Sequence, residues 1–522
     1  MQYVRKIGSL ALLALGCAGA AGATDYYVAA DGKDSHKGTS PATPWLTIKK
    51  VNQHPFVPGD RVHFRGGDHF KGMVYVHAFD GSASQPLTFT SYGGTRATIE
   101  GEDTPGFYLY NSRGVVIQEI DVVGTGTLAG TGDGISVYND LPGDVRLGPI
   151  VIDRVDVSGF SGHGIAIGGN NGRSGFRDVA LTHIDAHHNG DTGIFVWGNS
   201  EAWWGQTPDD YPNQEVRVAR CKAYSNVGSG IIVSGCATAV VEVNTAWGNG
   251  VGNLPTQGPV GIWTYDSRDV MIQMNESFDN WSNGTDGGGF GIDGGSVSCV
   301  LQYNYSHGNK GAGFQVAQYP GARPMRNVAV RYNITEGDAI NPGAGSLLVW
   351  NGSTSTPQDV YFHDNTVYTV KVASSAASVR EIGAGPQFEN LRFWNNVLYA
   401  KGGAILVDAK AGGGLRYQGN LYHSQSGLFV IKQGTNVYGS LTAWRAAGQE
   451  QVGGAPVGVQ ADPQLLNAGG GAPEDYQIQS TSPARDAGLG LPQLFGVAPG
   501  TVDYFGNPLQ DWIRYNIGCH EL

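Results

Sequence analysis

The chain has 522 residues, of which 81 are glycine and only 15% are charged, and its formal net charge is −12. That balance leaves no basic footprint for nucleic acid, and an acidic surface would not gather a strongly anionic polymer without a local cationic groove. With no long amphipathic helix and no linker, so glycine-rich a chain reads as one elongated body of short strands and turns rather than two or three globular domains.

At the N-terminus, Arg5 and Lys6 precede an apolar stretch from Leu10 to Leu15 and a small-residue segment ending Ala21-Gly22-Ala23. This predicts a signal peptide over residues 1–23, cleaved before Thr24, and a secreted protein, periplasmic or extracellular. Cys17 offers a lipoprotein anchor, which Ala14-Leu15-Gly16-Cys17 disfavours because no leucine stands three positions before the cysteine. No later apolar run reaches the roughly 20 residues needed to span a bilayer. The remaining cysteines, Cys221, Cys236, Cys299 and Cys519, are too few and too scattered for a disulfide framework. Residues 24–75 are expected to form an N-terminal cap and first coil. Its helix would run from Pro44 to Asn52, with Leu46, Ile48 and Val51 on one side.

A glycine followed by an apolar-x-apolar triplet then recurs: Gly134-Ile-Ser-Val137, Gly164-Ile-Ala-Ile167, Gly193-Ile-Phe-Val196, Gly230-Ile-Ile-Val233, Gly261-Ile-Trp-Thr264, Gly289-Phe-Gly-Ile292 and Gly313-Phe-Gln-Val316. A second column on the same beat ends strands in asparagine, at Asn244, Asn275, Asn304, Asn333, Asn365, Asn396 and Asn420. A third places Asn189, Asn226 and Asn309 four residues before the repeat glycine. Stacked asparagines can bond amide to amide between coils about 4.8 Å apart, which suits the turns of a solenoid. Aliphatic and asparagine ladders on one beat predict an all-β parallel β-helix over residues 76–435, of roughly ten to twelve coils. An irregular C-terminal cap would follow over 436–522, with a helix near Leu441 to Glu450.

Period-2 alternation turns the two apolar residues of each triplet inward and the residues between and after them outward. The outward set includes Phe195, Trp197, Trp263, Tyr265, Gly291, Asp293 and Gln315, so this sheet exposes aromatics.

The opening Tyr26-Tyr27-Val28-Ala-Ala-Asp31-Gly32, with Gly38-Thr39-Ser40-Pro41, Pro44-Trp45-Leu46-Thr47-Ile48 and Pro58-Gly59-Asp60-Arg61-Val62, resembles that of secreted right-handed β-helix carbohydrate-active proteins. These include pectate-lyase-like polysaccharide lyases and several glycoside hydrolases. The closing segments Ala461-Asp462-Pro463, Ser482-Pro483-Ala484-Arg485-Asp486-Ala487-Gly488 and Ile517-Gly518-Cys519-His520-Glu521 resemble the same group's cap. The resemblance implies a right-handed coil, but not one reaction, because the fold hosts unrelated chemistries. Ser161-Gly162-His163-Gly164 resembles the Gly-His-Gly of polygalacturonases, without their adjacent Asp-Asp pair or Arg-x-Lys.

The richest segment is Gly261-Ile-Trp263-Thr-Tyr265-Asp266, followed one coil later by Asp286-Gly-Gly-Gly-Phe-Gly-Ile-Asp293. Asp293 and Tyr265 fall in one outward column, with Asp266 and Asp286 at neighbouring turns. A glycosidase needs two carboxyl groups flanking the scissile bond, and acids from adjacent coils can supply them. The expectation is a glycoside hydrolase using Asp293 with Asp266 or Asp286, Asp293 ionised and a less solvated partner donating the proton. Trp197, Trp203, Trp204, Trp263, Tyr265 and His307 would hold a polysaccharide or oligosaccharide. The alternatives are a polysaccharide lyase acting on a uronate, or a non-catalytic carbohydrate-binding β-helix. Asp133 with His163 is a further acid–histidine pairing, read as a hydrogen-bonded turn. No cofactor is required, although Asp209, Asp210, Asp266 and Asp286 form an oxygen set that Ca²⁺ would accept. The protein is expected to be a monomer.

Overall fold

The computed structural model describes residues 22–126, 132–198, 211–254, 258–371, 376–412, 414–509 and 515–522. The expected signal peptide up to residue 21, Trp203, Trp204, Asp209 and Asp210 lie outside the described residues. Nearly every strand pairing is parallel, in a 27-stranded sheet and a 14-stranded sheet. The two sheets wrap one apolar core from Val28 to Trp444. This is the right-handed parallel β-helix.

The 14-stranded sheet runs from Val74–His77 to Asn436–Tyr438, and only its last strand is antiparallel, against Ile431–Gln433. Thirteen parallel rungs therefore stack, more than the repeat glycines suggest. In two of the additional rungs Ser346 and Ser378, both fully buried, take the glycine's place. Registers are in step with the predicted faces: Ile165 pairs with Ile194 and Ile167 with Val196, all buried, while Ala166 pairs with Phe195.

The large sheet turns a corner within each coil at the asparagine column. The residue before each asparagine has a left-handed φ: 57° at Val243, 55° at Met274, 57° at Tyr303 and 48° at Tyr332. The corner buries the asparagine, whose Nδ2 then donates to the Oδ1 of the next, at 2.9–3.1 Å from Asn244 to Asn420. Each amide also bonds backbone groups of neighbouring coils, so the turn's polar atoms are satisfied without water. A second ladder runs Asn189, Asn226, Asn249, Asn280, Asn309 and ends on Asp338. It includes two asparagines that the repeat spacing does not reveal.

The N-terminal helix is shorter than predicted, Ile48–Asn52, because Thr47 caps it and Trp45 instead pairs with Val28. Trp45, Ile48 and Val51 are buried, whereas Leu46 is exposed. The C-terminal helix spans Leu441–Ala446, capped by Ser440. All four described cysteines are buried and unbridged. No helix among the described residues is long and apolar enough to cross a membrane.

Candidate active site

Three strands of the 14-stranded sheet frame the site: Val260–Tyr265, Gly288–Asp293 and Phe314–Gln318. Trp263 pairs with Gly291, and Gly291 with Gln315, so a glycine lies between two long side chains. An added Cβ there would sit 3.3 Å from the Trp263 Cβ and 3.2 Å from Gln315, so a side chain at this position would crowd both neighbours. Trp263 and Tyr265 stack at 5.1 Å, and the indole N–H donates to Ser229 Oγ at 3.0 Å.

The acids flank this position. Asp293 ends the central strand next to Tyr265, and Asp286 precedes the same strand. Asp266 follows Tyr265 with φ 44°, its N–H donating to Gly294 O at 2.9 Å. Glycines make room for two of the carboxyls. A Cβ on Gly258 would lie 2.2 Å from Asp286 Oδ2, and one on Gly295 would lie 1.8 Å from Asp266 Oδ1. Neither position can carry a side chain without displacing an acid.

Electrostatics follow from that crowding. Burial pushes the Asp286 carboxyl up to about 6. Asp293 is raised well above the usual carboxylate range, first by burial and then by the negative charges of Asp286 and Asp266. Asp293 and Asp286 nevertheless keep some accessible surface, whereas Asp266 is buried. Among the described residues Asp293 Oδ1 has no hydrogen-bond partner. The expectation that Asp293 is the ionised member is thus corrected for the unliganded protein: it is the harder of the two to ionise, because it faces both other carboxyls.

A residue absent from the sequence reading completes the cluster. Tyr319, just past Phe314–Gln318, donates its hydroxyl to Asp266 Oδ2 at 2.6 Å and meets Tyr265 edge-on at 6.4 Å. Beside it, the Arg323 guanidinium lies 5.6 Å from the ring centre of Tyr211, which is buried and so offers no face to a sugar.

Other predicted residues lie elsewhere. Trp197 shares the outward column of Tyr265, but Ser234 stands between them, and its ring stacks on Tyr138 at 6.0 Å. It ends an upstream aromatic ladder with Tyr110 and His77. His307 is on the large sheet, its ring stacked on Phe278 and Tyr305 at 4.7 and 4.5 Å and its Nε2 3.1 Å from Glu276 Oε1. The structure does not bring it to the acids: its faces are occupied in a structural ladder. His163 accepts from Thr192 N–H at Nδ1, and its own backbone N–H donates to Asp133. That pair is a hydrogen-bonded turn. Among the described residues no three or more His, Cys, Asp or Glu form a metal-holding group.

The family model described as the right handed beta helix region matches residues 148–329, which contain all three acids. A lacto-N-biosidase of Bifidobacterium longum subsp. longum is 23% identical over 503 residues, covering 76% of this chain and 30% of the relative. The chain thus spans less than a third of the length of that relative. Among solved structures, the GH136 lacto-N-biosidase from Eubacterium ramulus superposes with a TM-score of 0.54 at 16% identity, over 70% of this chain and 68% of that one. The complex of XylC with xylose also gives 0.54, at 11% identity, over 96% and 98%. The chain is a right-handed parallel β-helix, similar in sequence to a lacto-N-biosidase and in fold to carbohydrate-active proteins.

Proposed function

We propose that the protein is a glycoside hydrolase cleaving neutral or mildly acidic glycans, with Asp286 and Asp293 as its carboxyl pair. The observation that carries this reading is that the Asp293 carboxyl is raised by burial and by the charges of Asp286 and Asp266, which puts these acids within electrostatic reach of one another beside the stacked Trp263 and Tyr265. Burial raises both carboxyls, and Asp293 also faces the charges of Asp286 and Asp266, so it is Asp293 that holds its proton the more firmly. Asp293, the harder of the two to ionise, donates to the glycosidic oxygen as the C1–O bond breaks. Asp286, at about 6, is ionised above that pH, and its carboxylate meets the positive charge developing at the anomeric carbon directly or through a water. Water supplies the new hydroxyl and returns a proton to Asp293. Asp266, tied to Tyr319, shapes the field rather than reacting. The aromatic pair gives the sugar an apolar platform.

Likeness to a lacto-N-biosidase supports hydrolysis and puts lacto-N-biosides at the head of a substrate panel. The expected signal sequence makes that substrate extracellular or periplasmic. The test is digestion of a glycan panel by the purified chain, following new reducing ends together with ultraviolet absorbance. Reducing ends without absorbance, lost in Asp293→Asn, support the reading. Absorbance from unsaturated uronates establishes β-elimination and overturns it, as does full turnover in Asp293→Asn.

A further inference from the structure

Large apolar side chains scattered singly over a surface need no explanation, but a group of them beside a candidate carboxyl does. Val251 and Leu254 are 62% and 64% exposed, and Trp281 is 43% exposed. They stand on turns of two adjacent coils, residues 248–254 and 279–287, that are hydrogen-bonded side by side. Trp281 N–H donates to Asn249 O at 2.8 Å, and Asn283 gives its backbone N–H to Asn253 Oδ1 at 2.8 Å and its Nδ2 to Asn253 O at 2.7 Å. The buried ladder pair Asn249 and Asn280 already anchors both turns, so the exposed apolar groups are not needed to hold them.

Both coils converge on Asp286. Gly287 packs against the Trp281–Ser282 peptide, where an added Cβ would lie 2.8 Å from Trp281 C and 2.9 Å from Ser282 N. From the coil that carries Leu254, Gly258 meets the Asp286 carboxyl and Pro259 O accepts from Gly287 N–H at 3.0 Å. The indole is also held in place. Lys310 Nζ lies 4.1 Å from its ring centre, a cation–π contact, and donates to Ser282 O. With 43% of the residue exposed, the indole keeps surface open to solvent. Its orientation is set before any ligand arrives, so less freedom is lost on binding.

We propose that Trp281, with Leu254 and Val251, forms a glycan-binding rim on the Asp286 side of the active site, the indole stacking on a sugar of the chain that reaches the carboxyl pair. The proposal deepens the hydrolase reading and rests on it for the class of ligand. A sugar ring presents an apolar face of C–H groups that suits an aromatic plane, and the two aliphatic side chains extend the apolar contact. The patch adjoins Asp286 through Gly258 and Gly287, so the occupant it fits is the same glycan rather than a second protein. Tyr265 stands next to Asp293 and Trp281 beside Asp286, so the two aromatics bracket the pair.

The test is calorimetric titration and steady-state kinetics of the full chain, as wild type, W281A and W281F, on short and long xylo-, laminari- and lacto-N-bioside oligosaccharides. W281A should weaken the tightest-binding glycan about tenfold or more and raise its KM to match, with kcat within about twofold, because a platform holds ground state and transition state alike. W281F keeps a flat face and should restore most of the affinity. If W281A lowers the thermal transition, L254S, changed at a side chain that is largely exposed, must weaken the same glycan. Affinity and KM unchanged in W281A overturn the rim and leave the hydrolase reading standing. Binding that W281A weakens, without new reducing ends from the wild type, upholds the rim and overturns hydrolysis. No binding of any oligosaccharide overturns the rim, as does a wild-type dimer that W281A dissociates, which would give the patch to a second copy.

Discussion

Tyr319 reaches back across the sheet to place its hydroxyl 2.6 Å from Asp266 Oδ2, joining residues 53 positions apart. Asp266 is 1% exposed and held in a left-handed turn, so this donor replaces water that the carboxylate lost on folding. Tyr319→Phe should therefore destabilise the fold by about 1–3 kcal/mol, the usual cost of stranding a buried polar partner. Urea unfolding measures it. An unchanged midpoint would mean that the contact contributes nothing to the native state.

Asp266 also acts on Asp293 through space, because its charge is one of the causes that raise the Asp293 carboxyl. Asp266→Asn keeps an acceptor for Tyr319 and removes that charge. With less repulsion, Asp293 ionises at lower pH, and the alkaline limb of the kcat/KM profile should move down. Turnover at the optimum should survive. Collapse of kcat would instead put Asp266 in the reacting pair.

Asp286 links catalysis to stability. Burial raises it from 3.8 to about 6, so in that window the folded chain holds a proton that the unfolded chain has released. Stability from this group is therefore greatest below pH 3.8 and declines as pH rises to about 6. Asp286→Asn removes the decline, so the variant's thermal midpoint should gain on the wild type between those limits. Its kcat should fall about 10²–10⁴-fold, the range for a lost general base. Thermal scans across pH, paired with initial rates, read both. A midpoint difference that does not vary with pH would remove the buried-carboxyl argument.

The fold was legible because both its ladders are written at near-constant period. Glycine before an apolar triplet and asparagine after a strand each mark one corner of a coil. Asn249 and Asn280 escaped because Gly261 and Gly289, the next repeat glycines, follow them at twelve and nine residues rather than at four. The acids were legible because Asp293 lies on a strand whose outward column follows from alternation, with Asp266 and Asp286 at its flanking turns. Tyr319 was not, since it lies beyond a strand end, where direction depends on the loop. The sequence columns also put Trp197 and Tyr265 in line without revealing that buried Ser234 separates them or that Trp197 stacks backward on Tyr138. His307 lay on the beat of the other sheet, where an exposed aromatic column is a packing device.

The asparagine ladder makes a prediction about cooperativity along the whole coil. Asn304 donates from Nδ2 to Ile272 O at 2.9 Å and to Asn333 Oδ1 at 3.1 Å, and its Oδ1 accepts from the backbone N–H and Nδ2 of Asn275. Asn304→Ala strands donors on Asn275 and acceptors on Ile272 and Asn333, all inside the core where water cannot replace them. The cost should be about 2–4 kcal/mol, above that of an ordinary single hydrogen bond because several groups lose partners together. Because each rung contacts chiefly its neighbours, the damage should concentrate around the Asn275, Asn304 and Asn333 coils. Hydrogen exchange should then show faster opening there than in the Asn189–Asn226 coils. Uniform acceleration throughout the solenoid would mean that the ladder stabilises the fold as one block rather than rung by rung.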